Sequence, residues 1–196
     1  MRRTNLKWRV QGMMASFSIV RATSPMNKRA FALVAILILS GLGPIAQAET
    51  LAGWVTHIAG GDTITVQDYS NQQHQVGLLG IDAPEKYQAF GNRSHQNLGA
   101  LLNGRDVAVI WQKRDRHGRI IGKVMIAPSG SSCRSPRDCP KTLDAGLEQI
   151  KAGQAWWDRS QAKEQTPEDR SMYEQAEFQA KIHRNGLWAG SNQLPP

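Results

Sequence analysis

The chain has 196 residues, of which 40% are hydrophobic and 20% charged. That balance supports a packed core and argues against a disordered chain or a multi-pass membrane protein. The formal charge of +8 looks like a nucleic-acid signal. However, residues 1–48 carry Arg2, Arg3, Lys7, Arg9, Arg21, Lys28 and Arg29 and no acid, so the remainder is close to neutral and global charge says little about partners.

Residues 26–48 have the layout of a secretory signal peptide. Met26 to Arg29 is a short positive segment, AFALVAILIL (30–39) is an unbroken apolar run, and Ala46-Gln47-Ala48 is a small-x-small cleavage site. A membrane anchor is the alternative, but a spanning helix wants about 20 apolar residues. Residues 1–25 read as an over-long start or an extended leader. The expected location is therefore secreted or periplasmic, with cleavage after Ala48. The two cysteines, Cys133 and Cys139, are expected to form a disulfide in an oxidising compartment. A metal site would need more ligands, and two free thiols remain if export fails.

From residue 49 onward five strands and three helices are expected. The strands are 51–58, 62–68, 75–81, 105–112 and 119–126. In the second, Ile64 and Val66 alternate with polar residues, the period of a half-buried strand. The last two strands flank a hairpin tip at 113–118, where Gly118 suits a turn. Leu98, Leu101 and Leu102 mark a helix stopped by Asn103-Gly104, and Leu143, Leu147 and Ile150 mark a second that ends at Gly153. Thr166, Pro167 and Asp169 form the start signal of a third, which Asn185-Gly186 ends. The order β-β-β-α-β-β-α-α predicts an α+β fold: a five-stranded OB-fold barrel with helices. The domain is expected over 49–190, with 191–196 a frayed tail.

Two carboxylates stand out. Asp62 follows Gly60-Gly61, and Asp82 lies in Gly80-Ile81-Asp82-Ala83-Pro84-Glu85. If their strands are neighbours, both sit at one end of the barrel, where two hard oxygen ligands with a carbonyl and waters suit Ca²⁺ or Mg²⁺. Glu85 follows a rigid proline and could polarise a water. Arg119, in Asp115-Arg116-His117-Gly118-Arg119, could grip a phosphate bidentately. Taken singly, each of these is also an ordinary turn or strand-exit residue.

Their joint order resembles the staphylococcal nuclease family. The family pattern is GDT, then a GIDAPE-like motif, a helix, and a D-x-[YH]-GR motif. Here these read Gly61-Asp62-Thr63, Leu78 to Glu85, and Asp115 to Arg119, and AGQAWW, EQTPEDR and NGLW look like secreted bacterial members. The resemblance implies Ca²⁺-dependent hydrolysis of DNA and RNA, leaving 3′-phosphates. Asp62 and Asp82 would bind the ion with the carbonyl of Ala83. Glu85 would orient or deprotonate water, and Arg119 would contact the phosphate. A single-stranded or denatured substrate and a monomer are expected.

The sequence departs from the family pattern at three places. Gly77 stands where the family has its first phosphate-binding Arg, five residues before the motif's Asp. Losing such a clamp predicts a large loss of rate unless another group replaces it, so a catalytically impaired nucleic-acid-binding domain is the alternative reading. Gly60 replaces an acid that many members carry near the metal. Ala83 replaces Thr, a mild change because the backbone oxygen remains.

Local charge favours a nucleic acid. Between 86 and 123 lie Lys86, Arg93, Arg105, Lys113, Arg114, Arg116, Arg119 and Lys123 against Asp106 and Asp115. Lys86, Lys113 and Arg116 are candidate substrate contacts, set against solvated surface positions. Trp157 is a candidate base-stacking residue, set against core packing. Trp54, Trp111 and Trp188 are assigned to packing, and the five histidines show no metal-ligand spacing.

Overall fold

The computed structural model describes residues 48–190. The leader expected over 1–25 and 26–48 (apart from Ala48) and the tail 191–196 lie outside the described residues. Among the described residues, no helix is long and apolar enough to cross a membrane.

The barrel is built from β1 (Glu49–Ile58), β2 (Thr63–Asp68), β3 (Gln73–Leu78), β5 (Asp106–Arg114) and β6 (Ile120–Ile126). Antiparallel neighbours run β3-β2-β1-β5-β6, and a parallel pairing of β3 with β6 closes the ring. In that closing seam Val76 faces Ile120, Gly77 faces Ile121 and Leu78 faces Gly122. The inward set follows from period-2 alternation. In β6 the buried residues are Ile120, Gly122, Val124 and Ile126, with Ile121, Lys123 and Met125 between them pointing out. Ile64, Val66, Val76, Val107 and Val109 complete the interior, all fully buried. This is the expected five-stranded OB-fold barrel.

Three short strands were not expected. The third strand ends at Leu78, not Ile81, because Gly80 takes a positive φ of 78° and turns the chain out of the barrel. A Cβ there would also lie 2.2 Å from the Gln165 side chain. Ile81–Asp82 then forms a separate strand, β4, antiparallel to β8 (Trp156–Trp157), with Ile81 opposite Trp157 and Asp82 opposite Trp156. Similarly, Leu143–Asp144 is β7 on the edge of β6 and not the first turn of a helix. Asp144 then caps helix α2 (Ala145–Lys151), accepting from the backbone N–H groups of Gly146 and Leu147.

Helix α1 (Gly91–Leu102) covers the barrel bottom with the fully buried Leu98 and Leu102. Helix α3 (Pro167–Ile182) begins as read: Thr166 accepts from the Asp169 backbone N–H at 3.1 Å, with Pro167 in the first turn. Its buried face carries Tyr173, Ala176, Glu177 and Ala180. Buried Glu177 accepts from the backbone N–H of Trp157 at 3.2 Å, from Arg159 at 2.9 Å and from Lys181 at 2.8 Å. Through β8 this ties α3 to β4, and therefore to Asp82.

Candidate functional site

Asp62 sits in the turn just before β2 rather than in the strand. The turn is held by backbone bonds from Ala59 and Gly60 to the Thr63 carbonyl at 2.9 and 3.2 Å. It is also held from beneath. Gln149 of α2, fully buried, donates to the Gly61 carbonyl at 2.7 Å and to the Ser94 carbonyl at 3.2 Å. Gly61 must be glycine, since a Cβ would lie 1.9 Å from the Ser94 hydroxyl oxygen. The Asp62 Oδ1 accepts from the Thr63 hydroxyl at 2.9 Å.

Asp82 lies at the end of β4, and its Oδ1 accepts from the Ala83 backbone N–H at 2.9 Å. Asp82 feels the charge of Asp62. Burial pushes the Asp82 pKa up to about 6, with the negative charge of Asp62 next and that of Asp158 further behind. Asp62 is also raised, first by burial and then by the Glu85 charge, against the Thr63 hydroxyl and Arg119, which lower it. Burial raises both carboxylates and the Asp62 charge raises Asp82 further, a strain that a cation beside them relieves.

Arg119 enters from the start of β6. Its Nε donates to Asp115 Oδ2 at 2.8 Å, and its Nη1 reaches the Thr63 hydroxyl oxygen at 3.4 Å. Asp115 also accepts from the Arg119 backbone N–H at 3.0 Å through its other oxygen. The guanidinium beside it pulls the Asp115 carboxyl down to about 2. Asp115 thus aims the guanidinium along the β2 edge towards Asp62, leaving the outer N–H groups for an anion. Glu85 is exposed on the loop after β4, its backbone N–H bonded to the Gln88 side-chain oxygen at 2.7 Å.

Asp62, Asp82, Glu85 and Arg119, read from separate motifs, therefore share one end of the barrel. Ala83 is buried beside them, with its carbonyl in the same loop. Among the described residues, no group of three or more His, Cys, Asp or Glu side chains is placed to hold a metal ion. A cation here would rest on the two carboxylates, completed by backbone carbonyl and water. This all-oxygen, negatively charged donor set fits a hard divalent ion.

The other expected contacts are distributed unevenly. Lys86 is exposed directly after Glu85. Arg116 is exposed at the hairpin tip, where its Nε donates to the His117 ring at 3.0 Å. Lys113 is held in an ion pair with Glu164 at 2.6 Å. Trp157 is only 8% exposed. Its indole N–H donates to Gln165 at 2.8 Å, and Arg159 lies 4.7 Å over its ring, so most of that ring belongs to the core. Cys133 and Cys139 form the expected disulfide. Gly77 is buried in β3, opposite Thr63 on one side and Ile121 on the other.

The sequence reading missed two supports. Asp158, directly after β8, adds negative charge beside Asp82. Gln149 holds the turn that carries Asp62. Both depend on contacts between segments far apart in the chain.

The fold is an OB-fold barrel that carries two carboxylates and a carboxylate-steered arginine at one end, which makes it a barrel protein of the nuclease class. The chain matches the staphylococcal nuclease homologue family over residues 75–190, and it belongs to that family. It is 36% identical over 175 residues to protein ParB of Escherichia coli, covering 87% of this chain and 92% of that one. It is 35% identical over 168 residues to a micrococcal nuclease of Shigella flexneri, covering 86% and 88%. An uncharacterised endonuclease of Escherichia coli is 33% identical over 153 residues, covering 78% and 86%.

Proposed function

We propose that the protein is an exported, Ca²⁺-dependent endonuclease that hydrolyses phosphodiester bonds of DNA and RNA. The observation that carries this reading is the convergence of Asp62, Asp82 and Arg119 at one barrel end, with Arg119 bonded to the same Thr63 hydroxyl that donates to Asp62. The similarity to a micrococcal nuclease and to an endonuclease supports it.

In this mechanism Asp62, Asp82 and the Ala83 carbonyl would hold the cation, which when bound would supply Lewis-acid polarisation of a phosphate oxygen. Glu85, exposed and next in the loop, orients the attacking water and takes its proton. Arg119 donates from its outer N–H groups to phosphate oxygens as negative charge grows on them. Asp115 fixes the direction of that guanidinium and so contributes by positioning. Lys86 and Arg116 draw the phosphate backbone towards this end of the barrel.

A second reading has its own observation. Gly77 offers no guanidinium beside Thr63, so the protein could bind nucleic acid through this face and cleave it poorly. The deciding experiment incubates the oxidised protein with heat-denatured DNA, titrating Ca²⁺ and Mg²⁺ against a chelator, with Asp82→Ala as the contamination control. Cleavage that requires Ca²⁺ and vanishes in the variant supports the nuclease. A salt-dependent gel shift with no cleavage above the variant supports the binding domain and overturns the nuclease.

A further inference from the structure

Tyr87 is 97% exposed, far more than any other large apolar side chain among the described residues. The next, Phe178 and Ile182, are 58% and 56% exposed, and Tyr69 at 42% is engaged by Asp106 and Arg137. The Tyr87 ring therefore contributes almost nothing to the core, and folding gives no reason for an aromatic residue there.

The backbone that presents it is nonetheless tightly built. The Gln88 backbone N–H donates to the Glu85 carbonyl at 2.8 Å, closing a four-residue turn with Tyr87 at its third position. The Gln88 side chain accepts back from the Glu85 backbone N–H at 2.7 Å. The Gly91 backbone N–H donates to the Gln88 carbonyl at 3.1 Å, and a Cβ on Gly91 would lie 2.0 Å from the Glu85 carbonyl oxygen. Phe90 turns the chain into α1 with a φ of 66°. A fixed turn thus holds a solvent-facing ring two residues from Glu85, with Cα atoms no more than about 7 Å apart. Two basic residues flank the two aromatic ones: Lys86 precedes Tyr87, and Arg93 is stacked 5.2 Å from the Phe90 ring.

We propose that Tyr87 is a stacking platform for one unpaired nucleobase of the strand whose scissile phosphate lies at Asp82, Glu85 and Arg119. This rests on the nuclease reading and adds a selectivity residue to it. A ring exposed on both faces, beside the residue that handles water and next to a lysine for the backbone, suits base stacking, which tolerates any sequence. A base already paired in a duplex cannot reach it, so Tyr87 favours single-stranded or denatured substrate.

The test compares Tyr87→Ala and Tyr87→Phe with the parent protein on a labelled single-stranded oligonucleotide. Dissociation constants are measured with Ca²⁺, together with KM and kcat. A second series carries one abasic position moved along the strand. Tyr87→Ala is expected to raise Kd and KM at least fivefold, by more than it lowers kcat, while Tyr87→Phe stays within twofold of the parent. One abasic position should weaken the parent by a similar factor and weaken Tyr87→Ala no further. A Kd within twofold for Tyr87→Ala overturns the proposal, as does an abasic penalty equal in both proteins. Failure of the parent to cleave would sink the nuclease reading alone, because the binding series still decides the stacking. A ring this exposed can be removed without unfolding the protein, and a thermal melt of each variant checks this.

Discussion

Gly77 stands directly opposite Thr63 in the β2–β3 ladder, and the Thr63 hydroxyl oxygen is where Arg119 Nη1 arrives at 3.4 Å. A side chain at 77 would therefore emerge on the strand face that already carries Arg119. Its Cβ would lie 3.0 Å from the Cδ1 atom of Ile121, the end of a flexible side chain that can move aside. Gly77→Arg should place a second guanidinium near the phosphate without unfolding the barrel. One preorganised donor is worth about 100-fold in rate or more, so kcat/KM on denatured DNA should rise by about that factor. A rise below threefold in a variant with an unchanged melting temperature would mean that another group already fills this role.

Asp82 makes the site pH-sensitive in a definite direction. Burial raises its folded pKa to about 6, above the ordinary carboxylate value of 3.8, so folding without a cation favours the protonated form of Asp82. The stability contributed by this group is present below the unfolded value and is lost as pH rises through about 6. Asp82→Asn should therefore make the cation-free protein more stable than the parent at pH 7 and remove this part of its pH dependence. A bound cation must displace the Asp82 proton below pH 6, so Ca²⁺ affinity should fall by up to about tenfold per pH unit there. Above pH 7 it should be flat. Calorimetric titration at pH 5, 6 and 7.5 measures this, and equal affinities at pH 5 and 7.5 would refute it. Asp115, held down to about 2 by Arg119, stays ionised throughout this window and cannot be the source of the change.

These two cases mark what a linear reading reaches. The alternation in β2 and the Thr166 cap are local signals and were legible residue by residue. The common address of Asp62, Asp82 and Arg119 was legible only through the family resemblance, because the residues alone leave it conditional on which strands are neighbours. The pairing of β4 with β8 was not legible, since two residues at 81–82 meet two at 156–157 and neither pair carries a pattern of its own. Asp158 and the burial of Trp157 depend on that pairing, so the charge beside Asp82 is invisible in the sequence and Trp157 reads equally as a base-stacking or a packing residue. Lys113 looked like an open phosphate contact because its partner Glu164 comes from a distant turn. Charge on a strand is readable in the sequence, but whether a distant acid neutralises it is not.

Glu177 gives a test of positioning from a distance. It is buried, it anchors the Trp157 backbone N–H, and Trp157 is the strand partner of Ile81, next to Asp82. Burial pushes its pKa up, but Arg159 and Lys181 outweigh that and leave it lowered. The ionised form is therefore favoured in the folded protein, and its contribution is present above the unfolded value and lost on acidification. Glu177→Gln keeps an acceptor for Trp157 and should cost about 1 kcal/mol. Glu177→Leu leaves that N–H without a partner and should cost about 2–3 kcal/mol. Supporting groups of this kind typically change metal affinity about tenfold or more, so Glu177→Leu should weaken Ca²⁺ binding by about that factor. Denaturant melts and calorimetry check both. Unchanged Ca²⁺ affinity in a destabilised Glu177→Leu would show that β8 does not set the position of Asp82.

The disulfide should separate stability from chemistry. Cys133 and Cys139 are six residues apart, and closing so short a loop stabilises by about 2 kcal/mol in the chain-entropy account. The loop lies beyond the C-terminal end of β6, while Arg119 precedes its first residue, so the seven residues of the strand separate them by about 20 Å. Arg137 of the same loop stacks 3.7 Å from the Tyr69 ring, and Lys141 pairs with Asp106 at 2.7 Å. Both contacts hold the loop to the barrel without the sulfur bridge. Reduction, or Cys133→Ser with Cys139→Ser, should lower the melting temperature by about 4–8 °C and leave kcat/KM at 25 °C within twofold. A tenfold loss of activity in the reduced but still folded protein would contradict this separation and tie the loop to the catalytic end through the barrel.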